Sequence, residues 1–221
     1  IAPLGQDVLF GEEKCELGRN FATKIWNASR FVFMQREKLF STREEFIDAF
    51  AAFSPDRELM SSVGLWLMSR YNAMLERYHQ AMANFKVNDM VKIVHEFFWG
   101  DYCDWYVEAL KSELAGEASA ERSRHAVCLA VSVLEGVLKA LHPVMPFITD
   151  EIWHAIAPRG NDETIAKTLL PQADTSWTAE DAAAFDMVRN MVSEIRSLRS
   201  AFNVPHDLRA SAVIRAASGE A

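Results

Sequence analysis

Cysteine and glycine are both scarce, with three and nine respectively in 221 residues. Cys15, Cys103 and Cys128 are odd in number and widely spaced, which argues against a disulfide framework or zinc cluster and for a reducing, cytoplasmic setting. The scattered glycines leave no glycine-rich phosphate loop, and no G-x-S-x-G elbow occurs. The longest apolar run, "AVCLAVSVL" at 126–134, is broken by Ser132 and falls far short of the roughly 20 residues that span a bilayer. No basic start with an apolar stretch behind it opens the chain, so no secretory leader is expected. Positive charge is also short overall. The net charge of −8 excludes general coating of nucleic acid, which needs a basic face.

What positive charge there is comes in two islands. Lys14, Arg19, Lys24, Arg30, Arg36 and Lys38 face only Glu16 and Glu37 within 14–38. Arg189, Arg196, Arg199, Arg209 and Arg215 face only Glu194 and Asp207 within 189–215. Two basic patches on an acidic body suit a local RNA contact better than sliding along a duplex.

Half the residues are hydrophobic, and their period is helical almost throughout. Helices are expected over about 12–33, 58–85, 88–114, 118–141, 145–157 and 179–202, with a short one near 44–53. Asn88 offers an N-cap for the third long helix. The stretch "HPVMPFITDEIW" (142–153) puts prolines three apart and so specifies a rigid corner between two helices. The tail "LRASAVIRA" (208–216) alternates as a strand does, with no partner strand in the sequence, which implies a chain cut from a larger protein. The expected fold is all-α: an antiparallel helix bundle over 1–157, a linker loop over 158–177, and over 178–221 an appended C-terminal helix with a strand-like tail.

Stepped at 100° per residue, Val91, Val94, Phe98, Tyr102, Trp105 and Ala109 share one arc, leaving Glu96, Asp104, Val107 and Lys111 for water. That aromatic cluster reads as bundle core, with Cys103 among it as a small hydrophobe. Two E-x-x-H pairs, Glu76/His79 and Glu151/His154, have the spacing of bundle di-metal sites, but both point away from their helices' apolar stripes. No metal site is therefore expected, and no catalytic constellation is present.

"RNFATKIWNASRFVF" (19–33) carries two stripes. Phe21, Ile25, Ala28, Ser29 and Val32 form a core-facing one. Asn20, Lys24, Asn27 and Phe31 form another, edged by Arg19 and Arg30. Amides, cations and one aromatic on a single outer face suit the edges, phosphates and flat surfaces of unstacked RNA bases. On periodicity alone, a solvated face with one half-buried phenylalanine is the favoured reading. Trp26 falls toward the core side.

Three stretches together resemble the anticodon-binding domain of valyl-tRNA synthetases, a class I family: "NFATKIWNASRFV" (20–32), "FFWGDYCDWYVEALK" (97–111) and "LHPVMPFITDEIW" (141–153). "IRSLRSAFNVP" (195–205) is similar to the helix that leads out of that domain. The resemblance covers roughly 1–210. It implies a helical bundle that receives the anticodon stem-loop of valine tRNA, joined in the parent chain to catalytic domains that use ATP and magnesium. The H-I-G-H and K-M-S-K-S nucleotide-handling motifs of that class do not occur here, so this stretch is expected to hold no catalytic residue, cofactor or metal.

Carried over by position, Asn20, Lys24, Asn27, Arg30 and Phe31 are the candidate RNA contacts, with Arg196 and Arg199 on the backbone of the tRNA. Lys24 and Arg30 would neutralise phosphates, Asn27 would read a base edge and Phe31 would stack. The corner, with His142 and Met145, would hold the RNA-facing helix in register. The alternative reading is a helical protein-docking module that never touches RNA.

Overall fold

The computed structural model describes residues 11–116, 118–160, 162–205 and 208–209. The all-α expectation holds: the described residues form helices and loops, without a strand. None of the helices is long and apolar enough to cross a membrane. The strand-like stretch 208–216 lies outside the described residues except for Leu208 and Arg209, which are not in a strand.

Short polar side chains start most helices, as the unsatisfied first-turn amides require. Thr42 caps α2 (Arg43–Ala51), accepting from the Glu45 amide at 3.1 Å, while Glu45 reaches back to the Ser41 amide at 2.7 Å. Ser61 caps α3 (Ser62–Ala83) and Ser119 caps α6 (Ala120–Leu141). Thr178 opens α8 (Ala179–Ala201), its amide donating to Asp181 at 2.8 Å. Asn88 is not a cap. The helix it was expected to start begins one residue earlier, at Val87, so Asn88 lies inside the first turn.

α1 (Glu12–Leu39) outruns its expected end by six residues, because its buried register continues past Val32 to a charged residue, Arg36. Between Val87 and Ala115 three segments run on as one helix: α4 (Val87–Glu96), a π-helical stretch (Phe97–Val107) and α5 (Glu108–Ala115). In a π-helix each amide bonds five residues back rather than four, which widens the turn; such stretches are rare and concentrate at functional sites. Along it Phe98 stacks on Tyr102 and Tyr102 meets Tyr106 at a tilt, and the two tyrosine hydroxyls donate to the Ala130 and Ala126 carbonyls of α6 at 2.9 and 3.0 Å. The same widening rotates Val107, read as water-facing, into the core, and turns Trp105 out of the core arc to a half-buried place against α8.

α6 is the central post, buried on most of its surface against α1, α3, α4 and α7 (Pro146–Ile156). Gly136 is required there by close approach: a Cβ would sit 1.7 Å from the hydroxyl of buried Tyr71. α8 lies along α3, with Trp66 and Arg70 of α3 both donating to Asp186 at 2.9 and 3.1 Å. Met187, Ile195, Leu198 and Phe202 remain exposed on its outer side.

The proline corner is tightly bonded. Pro146 begins α7, Thr149 is fully buried, and its hydroxyl lies 2.8 Å from His142 Nδ1 and donates to the Met145 carbonyl at 2.9 Å. The far end of α7 is held from α1. Buried Arg36 donates to the last carbonyls, Ala155 and Ile156, at 3.2 and 3.3 Å, where a cation also meets the negative end of the helix dipole. α7 is thus bonded to the corner at one end and to α1 at the other.

Candidate nucleic-acid interface

α1 divides as its sequence requires. Phe21, Ile25, Ala28, Ser29 and Val32 are buried, while Asn20, Asn27 and Arg30 are exposed and Lys24 and Phe31 are half-buried. Asn20, Asn27 and Arg30 make no hydrogen bond or ion pair among the described residues, so amide edges and a guanidinium stand ready for a ligand. Trp26 is corrected by the structure. It is 43% exposed, because the core arc of α1 is narrow enough to leave position 26 outside it, one turn before Arg30.

Lys24 and Phe31 border a groove that the periodicity of α1 alone could not show. α1 and the Val87–Ala115 helix run side by side in the same direction, Lys24 meeting Asp104 and Phe31 meeting Lys111 seven residues further on each. The groove between them has a volume of about 180 Å³ and is lined by Asn27, Ala28, Cys103, Val107 and Glu108 besides those residues. The Lys24 ammonium donates to Asp104 at 2.8 Å and lies 5.0 Å from the centre of the Trp99 ring. Partial burial alone would lower its pKa, but the hydrogen bond and charge of Asp104 more than offset that, and the net shift is upward. Lys24 therefore stays a full cation. Lys111 sits 5.3 Å over the Phe31 ring and donates to Glu108 at 2.6 Å. On the groove floor, burial pushes the Cys103 thiol up to about 12, so it remains protonated and packs as a small hydrophobe.

Trp99, Asp104, Glu108 and Lys111 were absent from the sequence-level site. Asp104 and Lys111 read as a solvated stripe; they remain exposed on that stripe, and what the sequence did not show is that the stripe borders α1.

The second basic island is disposed differently. Arg196 is exposed, 5.5 Å over Trp105, with its guanidinium open to solvent. Arg199 donates to the Pro205 and Leu208 carbonyls, closing the end of α8. Arg189 is held between Asp186 and Asp101 at 3.2 and 3.9 Å. The two E-x-x-H histidines have backbone partners, His79 at the Pro171 carbonyl and His154 at the Asp150 carbonyl, and their glutamates are exposed.

The outer side of α1 thus carries exposed amides, an exposed guanidinium and a half-exposed indole beside a groove bordered by two lysines. The family model for the anticodon-binding domain of tRNA ligases matches residues 64–214. The chain belongs to that family. α1 precedes the matched stretch, but similarity to individual relatives includes it. The chain is 87% identical to the valine–tRNA ligase of Chlorobaculum tepidum over 218 residues, 99% of this chain and 24% of that protein. It is 35% identical to the valine–tRNA ligase of Thermosynechococcus vestitus over 93% of this chain and 22% of that protein. For the Aquifex aeolicus valine–tRNA ligase the figures are 32%, 89% and 17%. The chain thus spans about a quarter or less of the length of these curated relatives. As an anticodon-binding domain, it has the all-α bundle expected of its resemblance to the valyl enzymes.

Proposed function

We propose that this chain is the anticodon-reading part of a valine–tRNA ligase, and that the outer strip of α1 takes the anticodon loop of valine tRNA. The remainder of such a protein would activate valine with ATP and magnesium and esterify it to the tRNA. This part supplies recognition. The observation that carries the reading is the exposure of Asn20, Asn27 and Arg30, flush with Lys24 and Phe31, on a helix whose other side is sealed into the core.

In this reading Arg30 and Lys24 neutralise phosphates, Asn27 pairs with a base edge and Phe31 stacks on an unstacked base. Trp26, exposed one turn from Arg30, adds a second flat surface that the sequence had assigned to packing. Arg196, exposed on α8, holds backbone phosphate in this reading. Arg199 has a structural task in the end of α8, so its role toward RNA is the weaker of the two. Replacing Phe31 by alanine removes one stacking contact and is expected to weaken tRNA binding by about 1–3 kcal/mol, roughly 5- to 150-fold.

A gel-shift comparison of valine tRNA with a version carrying a swapped anticodon tests the reading. Tighter binding of the first, weakening as salt rises, is expected. Equal affinity for both refutes anticodon reading.

A further inference from the structure

Both lysines at the groove are occupied by carboxylates of the chain itself. Asp104 and Glu108 stand one helical turn apart on the ridge facing α1, the first bonded to Lys24 at 2.8 Å and the second to Lys111 at 2.6 Å. Lys111 in turn lies over Phe31, the ring on which a base would stack. The Lys24 and Lys111 ends of the groove are seven residues apart along each helix, about 10 Å at 1.5 Å per residue. In the free protein, then, one lysine is tied beside the groove and the other covers its aromatic surface.

We infer that Asp104 and Glu108 are stand-ins for RNA phosphates: the ammonium positions of Lys24 and Lys111 are two phosphate subsites, and RNA enters the groove by displacing the carboxylates. This rests on the reading of the α1 strip as an RNA surface.

Three features of the pairs support it. All four side chains are at least about a third exposed, so a solvated phosphate reaches them without unfolding anything. Ammonium–carboxylate pairs of that exposure are worth little, which makes an exchange of one oxyanion for another nearly balanced. Phe31, the ring under Lys111, lines the groove itself, and Trp99 lies beside it under Lys24, so lysine movement uncovers flat surface where a base needs it. Phosphate attraction carries no sequence information. Built-in carboxylates at those subsites offset that unspecific part and leave Asn27 and Phe31 to decide.

The test is a set of charge-neutralising variants titrated with valine tRNA at one low salt concentration. Asp104→Asn and Glu108→Gln remove the competitor while keeping shape, and are expected to tighten binding about 3- to 5-fold each, a change of about 1 kcal/mol or less. The gain from Asp104→Asn must disappear in a Lys24→Ala background, and the gain from Glu108→Gln in a Lys111→Ala background. An equal gain with the lysine absent overturns the proposal, since it shows only relief of general repulsion. Weaker binding by Asp104→Asn overturns it too, because Asp104 would then be aiming Lys24 at the RNA. A distinct failure, unchanged affinity for Lys24→Ala, Asn27→Ala and Phe31→Ala together, removes the α1 reading on which the proposal stands. Because all the substituted carboxylates are exposed, unchanged melting temperatures are expected and serve as the folding control.

Discussion

Arg36 ties α1, which carries the proposed reading surface, to the C-terminal end of α7, and its removal should register twice. Its guanidinium lies between the Phe33 and Phe46 rings at 4.9 and 5.1 Å and donates to the two terminal carbonyls of α7. A hydrogen bond from a charged donor contributes about 1.5–3 kcal/mol, and each ring contact of a partly desolvated cation about 0.5–2 kcal/mol. Against this stands the cost of desolvating the guanidinium, which alanine recovers. A net loss of about 3 kcal/mol follows for Arg36→Ala. At roughly 2–4 °C per kcal/mol for a chain of this size, the melting temperature should fall about 6–12 °C. Arg36→Met keeps an apolar stem between the rings but discards the carbonyl bonds, and should recover less than half of the loss. Since Arg36 is buried and directed at α7, neither variant removes an RNA contact. A loose α1 should nevertheless weaken tRNA binding. Thermal unfolding followed by circular dichroism reads the first effect and gel shift the second. A melting shift under about 2 °C, or tRNA affinity unchanged despite a large shift, refutes the coupling of α7 to the reading helix.

Three further outcomes are open to measurement. Gly136→Ala gains helix propensity of about 1 kcal/mol but drives a methyl into Tyr71, where overpacking costs about 1–3 kcal/mol, so chemical denaturation should show net destabilisation. Phe85 ends α3 in the left-handed region (φ 54°) while 83% exposed, so Phe85→Gly should relieve strain and raise stability by about 0.5–1 kcal/mol. Burial lowers the pKa of His125, whose Nε2 accepts from the Asp56 amide at 3.0 Å, so the unfolded chain takes up the proton first. That contribution to stability is complete above the unfolded value of 6.5 and is lost as pH falls toward the folded one, and His125→Gln should flatten this limb in melts recorded as a function of pH.

The division of α1 into a buried and an outer side was legible between Asn20 and Val32 because the core positions there are small or apolar and most of the outer ones polar. Its true end was not: Arg36 occupies a core position, and a buried guanidinium satisfied by another helix's carbonyls looks in sequence like the start of a loop. Trp26 failed for a different reason: the helical step put it toward the core side, where the buried arc is too narrow to take it in. The groove was hidden more deeply. Asp104, Glu108 and Lys111 share one side of their helix, and that this side runs beside α1 is a matter of helix packing that the period of one helix does not announce. The corner, by contrast, was written plainly in two prolines, although its bonds through Thr149 and His142 needed coordinates.

Where RNA touches the chain decides whether α1 is the reading helix, and amide NMR shifts during titration with the anticodon stem-loop of valine tRNA locate that contact residue by residue. Shifts centred on Asn20, Lys24, Asn27, Arg30 and Phe31, with a second group at Asp104 and Lys111, are predicted. Saturable binding that moves other helices and leaves the α1 amides unperturbed would contradict that role for α1.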